Sequence, residues 1–111
     1  LEALRQVGAP SFLTVLKRFG QGNTAPLSFP IPGWTLAVDV PAAVPGLLEA
    51  LNQLDEQVAA VGGRLYLAKD SRQSAEMFRR GYPRLGEWTQ TRGKLDPRGL
   101  FSSDLARRVG I

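Results

Sequence analysis

Between two runs of alternating side chains lies a stretch that can be neither a regular helix nor a central strand. Gly20 to Gly33 contains Pro26, Pro30 and Pro32 together with Gly20, Gly22 and Gly33. Proline has no N–H to give a helix or a sheet ladder, and glycine loses the most freedom when fixed in either. The stretch must therefore be an ordered loop, with Leu27, Phe29 and Ile31 as its apolar anchors.

The flanks of this loop read as strands. Ser11 to Phe19 (SFLTVLKRF) is rich in β-branched and aromatic residues, with Leu13, Val15, Lys17 and Phe19 on one face and Phe12, Thr14, Leu16 and Arg18 on the other. Trp34 to Val40 (WTLAVDV) alternates more sharply, setting Trp34, Leu36, Val38 and Val40 against Thr35, Ala37 and Asp39. The second face is small and polar. A half-buried strand sends such a face to water, and a strand lining a ligand cavity has the same pattern.

From Ala42 to Val61 the residues Leu47, Leu48, Leu51, Leu54, Val58 and Val61 recur at spacings of three and four, with Pro45 near the start and Gly62-Gly63 at the stop. This predicts an amphipathic helix. Arg64 to Ala68 (RLYLA) then reads as a short third strand, with Leu65 and Leu67 opposed to Tyr66. At the start, LEALRQVG repeats Leu1, Leu4 and Val7 at helical spacing and closes on Gly8. Ser71 to Tyr82, Arg84 to Thr91 and Ser102 to Val109 read as short helices, broken by Gly81, Pro83 and the Asp96-Pro97-Arg98-Gly99 turn; Ser102, Ser103 and Asp104 offer N-cap chemistry to the last. The order of elements predicts an α+β fold: a mixed or antiparallel sheet with helices packed on one face, followed by short helices.

Composition removes several chemistries. The 111 residues include neither Cys nor His, so a thiol nucleophile, an imidazole base, a disulfide frame and the common zinc sites are excluded. With 43% hydrophobic residues the chain can bury a core of one domain or part of one. No window approaches the ~18–20 apolar residues of a membrane span, and the start lacks the leader of a signal peptide. Beginning at Leu1 rather than Met, the chain is expected to be a processed product or an excised piece. The net charge of +4 is unevenly spread, at −2 over residues 1–63 and +6 over residues 64–111. A basic segment suits nucleic acid, an anionic membrane or a phosphorylated ligand, but Glu76, Glu87, Asp96 and Asp104 interrupt it as in an ordinary mixed-charge surface. No aromatic and basic residues alternate on one strand as a single-stranded nucleic-acid platform requires, and no nucleic-acid partner is expected.

The sequence contains no dinucleotide fingerprint, Walker loop, nucleophile elbow or metal-ligand spacing. What remains is a set of polar groups at strand positions: Lys17, Thr35 and Ala37, then Tyr66 and Lys69. A Lys beside a Tyr at a strand end is often only a surface cation lying along an aromatic. The same Lys held near a flavin ring would stabilise the negative charge that develops there on reduction. Spacing alone leaves both readings open.

Five strings favour the second. FGQGNTAPLSFPIPGW (Phe19 to Trp34), VDVP (Val38 to Pro41), GGRLYLAKDSR (Gly62 to Arg72), YPRLGEW (Tyr82 to Trp88) and KLDPRGLFSSDLARR (Lys94 to Arg108) resemble the C-terminal part of the decaprenylphosphoryl-ribose 2-oxidases. These are actinobacterial flavoenzymes of the vanillyl-alcohol-oxidase type, related to the D-arabinono-1,4-lactone oxidases. The resemblance implies that residues 1–63 end a substrate-binding domain. Residues 64–111 would then be a return segment completing an FAD domain whose pyrophosphate loop and active-site His lie elsewhere. It implies FAD as cofactor, bound mostly by that other domain, with Tyr66 and Lys69 at the flavin and Lys69 as the catalytic residue in contact with flavin and substrate. It makes Lys17, Phe19, Thr35 and Ala37 substrate-binding residues. Thr35 and Ala37 depart from the mycobacterial pattern of Asn and Cys, so nothing that depends on a thiol there carries over.

The implied reaction is oxidation of the ribose 2-hydroxyl of a lipid-linked sugar phosphate to a ketone. A companion NADH-dependent reductase would then complete epimerisation for cell-wall arabinan. Peripheral contact with the cytoplasmic or periplasmic face of the plasma membrane is implied for the full-length protein, and no metal. A lactone or alditol oxidase acting on a soluble sugar shares the scaffold, and a basic α+β binding module is the reading from another class. The piece alone is expected to be inactive and to self-associate through apolar surface left uncovered.

Overall fold

The structure is a computed structural model and describes residues 2–111. It has the expected α+β class, with one two-stranded antiparallel sheet and five α-helices among the described residues. The chain forms two compact units. Of the described residues, one comprises 2–22 and 30–57, and the other 23–29 and 58–111.

The first unit opens with α1 (Glu2–Gln6). It ends where the N–H groups of Gly8 and Ala9 donate to the carbonyls of Arg5 and Leu4. The part of the predicted helix that falls on Leu1 lies outside the described residues. β1 (Leu13–Phe19) and β2 (Gly33–Asp39) pair in antiparallel register, Leu13 opposite Asp39 through Phe19 opposite Gly33. The intervening loop turns on a close approach at Gly22, where a Cβ would sit 2.2 Å from the carbonyl oxygen of Pro30. Only glycine fits there.

Residues opposite one another in an antiparallel pair point to the same face. The register therefore puts Val15, Lys17, Phe19, Thr35 and Ala37 on one face and Leu16, Arg18, Trp34 and Leu36 on the other. Val15, Phe19, Thr35 and Ala37 are half-buried, whereas Trp34 is 68% exposed and Leu16 and Leu36 are also exposed. The face that carries Thr35 and Ala37 is thus partly covered, although Leu13, Lys17 and Asp39 on it are exposed. On the opposite face, which a half-buried strand would turn inward, Val38 is half-buried and the Arg18 guanidinium lies 6.0 Å from the centre of the exposed Trp34 ring.

α2 (Leu47–Ala60) starts five residues later than its periodicity predicts. Pro45 disfavours helical backbone at Val44, so residues 41–46 form turns and the helix begins only after them. It stops as predicted. Gly62 takes the left-handed conformation (φ +73°), and the N–H of Gly63 returns to the Val58 carbonyl at 2.8 Å.

In the second unit the predicted third strand is absent. Residues 64–66 form no ladder, and Leu67–Lys69 is a 3-10 turn. The reason lies in where the backbone groups go. The Leu65 carbonyl accepts from the Tyr82 hydroxyl at 2.7 Å, while the carbonyls of Tyr66 and Leu67 accept from the N–H groups of Lys69 and Asp70. Carbonyls committed to a side chain and a turn are not offered to a neighbouring strand.

α3 (Ala75–Gly81) is shorter than the predicted Ser71–Tyr82 helix, because the Asp70 carboxylate accepts from the N–H groups of Arg72 and Gln73 and holds that stretch as a turn. Ser74 caps the helix through the Met77 N–H. α4 (Leu85–Leu95) runs beyond Thr91. α5 (Asp104–Val109) starts at a Ser103 cap on the Ala106 N–H. The core of this unit is Phe78, Tyr82 and Val109, each at most 1% exposed, with Leu27, Leu67, Leu85, Leu105 and Ile111 around it.

Candidate functional site

The candidate residues fall into two groups, one in each unit. On the hairpin, period-two alternation and the register together bring Lys17, Phe19, Thr35 and Ala37 onto one face. Lys17 stands directly opposite Thr35, so a lysine and a threonine side chain leave the same face of the hairpin from neighbouring positions. Phe19 faces Gly33, which has no side chain to cover the ring. Ala37 faces Val15 and leaves the strip shallow. Lys17 forms no ion pair among the described residues. The same face carries Asp39 at its far end, opposite Leu13, so its polar groups are one cation, one hydroxyl and one carboxylate, and its cationic end can meet an anionic, hydroxyl-bearing ligand.

The second group is carried by the segment from Leu65 to Gln73. Tyr66 is half-exposed, and its ring lies 4.7 Å from that of Phe29, tilted by 40°. Arg64 donates to the Ser28 carbonyl at 2.9 Å, so the loop end bearing Phe29 is tied beneath this segment. Lys69 closes the 3-10 turn, is exposed, and forms no ion pair among the described residues. An aromatic side chain and an exposed cation three residues apart are compatible with a flat ring system that gains negative charge. Neither residue could hold such a group alone.

What fixes this segment was not legible in the sequence motifs. Next to Lys69, the Asp70 side chain is only 6% exposed and pairs with Arg108 of α5 at 3.0 Å. It also accepts from the N–H groups of Arg72 (3.0 Å) and Gln73 (2.9 Å) and from Nε2 of Gln73 (3.0 Å). Burial on its own would raise the Asp70 carboxyl. The backbone donors of Arg72 and Gln73, with Arg108 and the Gln73 amide, outweigh it and hold the group below the usual carboxylate range. The single hint in the sequence is an Asp followed by three polar residues and Ser74, an Asx-turn pattern ahead of a capped helix. Tyr82, by contrast, is pushed up to about 12 by burial. Its hydroxyl is the donor to the Leu65 carbonyl.

An open groove of about 530 Å³ lies between α4 and α5, lined largely by Trp88, Leu95, Phe101, Leu105 and Ile111. None of the six candidate site residues, Lys17, Phe19, Thr35, Ala37, Tyr66 and Lys69, lines it. Its floor is apolar, and its rim is set by Asp96, which accepts from the N–H groups of Leu100 and Phe101 and is held below the usual carboxylate range by those two bonds.

Residues 42–109 match the family of D-arabinono-1,4-lactone oxidases. The chain belongs to the D-arabinono-1,4-lactone oxidase family. The match covers α2, the Tyr66–Lys69 segment and all three later helices, and so includes the whole clamp from Asp70 to Arg108. Over 97% of its length the chain is 54% identical to a decaprenylphosphoryl-beta-D-ribose oxidase of Mycolicibacterium smegmatis. Over 87% of its length it is 48% identical to an uncharacterised protein of Streptomyces coelicolor. It spans about a quarter of these relatives, 23% of the first and 26% of the second. The identity with the first extends across both units, hairpin included. Among the described residues no helix is long and apolar enough to cross a membrane.

Proposed function

We propose that this chain is the C-terminal part of an FAD-dependent oxidoreductase that oxidises the 2-hydroxyl of a polyprenylphosphoryl ribose to a ketone, on the route to arabinan precursors of the cell wall. The observation that carries this reading is the 54% identity, sustained over 97% of the chain, with a decaprenylphosphoryl-beta-D-ribose oxidase. Residues 1–63 end the substrate-binding domain, and residues 64–111 return to the FAD-binding domain. The flavin, when bound, supplies the two-electron acceptor.

The chain's own residues bind and orient. Lys69 places a positive charge where negative charge develops during oxidation, so it stabilises the transition state more than the ground state. Tyr66, backed by Phe29, gives a flat apolar wall that keeps water from one side of the site. Lys17 meets the anionic or hydroxyl-bearing end of the sugar phosphate, with Thr35 donating beside it, and Phe19 and Ala37 shape the pocket. The ketone product then needs a companion NADH-dependent reductase, and the lipid tail of the substrate keeps the full-length enzyme at the membrane surface.

A second reading is favoured by the family's description: oxidation of a soluble sugar lactone or alditol. One experiment separates the two. The full-length gene product is kept anaerobic, and its flavin band is recorded before and after adding a polyprenylphosphoryl ribose analogue, then a soluble aldonolactone. Bleaching by the first supports the lipid-linked substrate. Bleaching by the second alone moves the substrate to the soluble class, and a product that holds no flavin defeats both readings.

A further inference from the structure

The turn that carries Lys69 is fastened by a side chain from almost forty residues later in the chain. We propose that Arg108 is a positioning residue: by gripping Asp70 and Gln73 it fixes the Leu67–Lys69 turn, so that the last helix sets where the Lys69 ammonium sits and thereby tunes the electron-accepting group of the site. This inference rests on the reading of Lys69 given above.

Three oxygens receive the Arg108 fork. Nη1 donates to the Gln73 carbonyl at 2.6 Å, and Nη2 lies 3.0 Å from Asp70 Oδ2 and 3.3 Å from the Asp70 carbonyl. A planar guanidinium can serve three acceptors at once in this way, and a lysine ammonium on a flexible stem cannot hold the same geometry. Asp70 is the residue next to Lys69, and its own N–H closes the turn on the Leu67 carbonyl. Arg108 in turn is not free to drift, because its neighbour Val109 is fully buried in the core with Phe78 and Tyr82. The opposite end of the segment is held by the Tyr82 hydroxyl on the Leu65 carbonyl. Lys69 therefore sits on a short piece of chain pinned at both ends, so the backbone from which its side chain departs is preorganised.

The test uses the full-length holoenzyme with Arg108→Ala, Arg108→Lys, Asp70→Asn and Lys69→Ala, Asp70→Asn being the variant that preserves shape should Arg108→Ala fold poorly. Two quantities are read: amide hydrogen exchange over residues 66–73 against residues 85–95, and the midpoint potential of the bound flavin. The expected result for Arg108→Ala and Asp70→Asn is exchange at 66–73 faster by about tenfold or more, with 85–95 unchanged. Their potential should shift in the same direction as in Lys69→Ala by at least half as much, with no further shift when Arg108→Ala is added to Lys69→Ala, and Arg108→Lys should fall between. Unchanged exchange at 66–73 overturns the clamp. Faster exchange with an unshifted potential, while Lys69→Ala does shift it, overturns the positioning role and leaves the reading of Lys69 standing. A Lys69→Ala enzyme with the wild-type potential overturns both, and shows this without reference to Arg108.

Discussion

The β1–β2 hairpin and the Tyr66–Lys69 segment present their candidate side chains by different means. On the hairpin the backbone does the placing: a regular antiparallel register puts Lys17 beside Thr35 and all four candidates on one face, whatever the side chains elsewhere are doing. In the other region side chains do the placing. Tyr82, Asp70 and Arg108 hold a stretch that has no ladder and only one 3-10 turn of its own. A site on a ladder tolerates the loss of distant side chains; a site on a clamped loop does not.

Side-chain deletion should therefore hurt the second region most. Phe78→Ala empties a fully buried position beside Tyr82 and should cost about 3–5 kcal/mol of stability, read from urea unfolding of the full-length product. In the hairpin unit the sensitive atom is backbone. Gly22→Ala drives a Cβ into the Pro30 carbonyl and should cost about 1–3 kcal/mol, and a wild-type transition would mean that the loop relaxes freely. Tyr82→Phe keeps the packing but leaves the Leu65 carbonyl without its donor, for a loss of about 1–2 kcal/mol together with faster amide exchange around residues 65–67. Trp34→Ala removes a side chain that is 68% exposed on the open hairpin face, so its unfolding midpoint should stay within about 0.5 kcal/mol of wild type. A large loss there would mean that the open face is covered in the full-length protein, and would sharpen the contrast by showing where the remainder of the chain sits.

Asp70 adds a pH signature to the clamped segment. Its folded-state value lies below the ordinary ~3.9 of an unfolded Asp, so the folded state favours the ionised form. Its contribution is complete above that ordinary value and is lost as the pH falls through the depressed folded value. Asp70→Asn should therefore destabilise the protein at pH 7, and its gap to wild type should close as the pH is lowered past about 4. A gap that is constant from pH 7 to pH 3 would show that the carboxylate charge contributes nothing.

What the sequence disclosed follows the same division. Alternation in SFLTVLKRF and WTLAVDV was enough to find both strands and to sort Lys17 with Phe19 and Thr35 with Ala37, because a strand's period is local. Gly62-Gly63 and Ser103 marked helix ends for the same reason. RLYLA misled, since its alternation is that of a strand and the groups that consume its carbonyls come from Tyr82 and from its own turn. The Asp70–Arg108 pair spans 38 residues and belongs to no local pattern. Nor does hydropathy alone reveal that the apolar face of the hairpin is the open one, because that depends on what covers it, and nothing among the described residues does so fully.

In the proposed site Lys69 acts on the electron acceptor while Lys17 acts on the substrate. Stopped-flow bleaching of the bound flavin, followed in the full-length enzyme across a range of polyprenylphosphoryl ribose analogue concentrations, tests it in one experiment. Lys69→Ala should lower the limiting rate by about a hundredfold or more, the usual effect of removing a charge-stabilising donor. Lys17→Ala should raise the half-saturating concentration and leave the limiting rate nearly unchanged, the pattern of lost uniform binding. A Lys69→Ala enzyme that bleaches at the wild-type limiting rate would contradict the account.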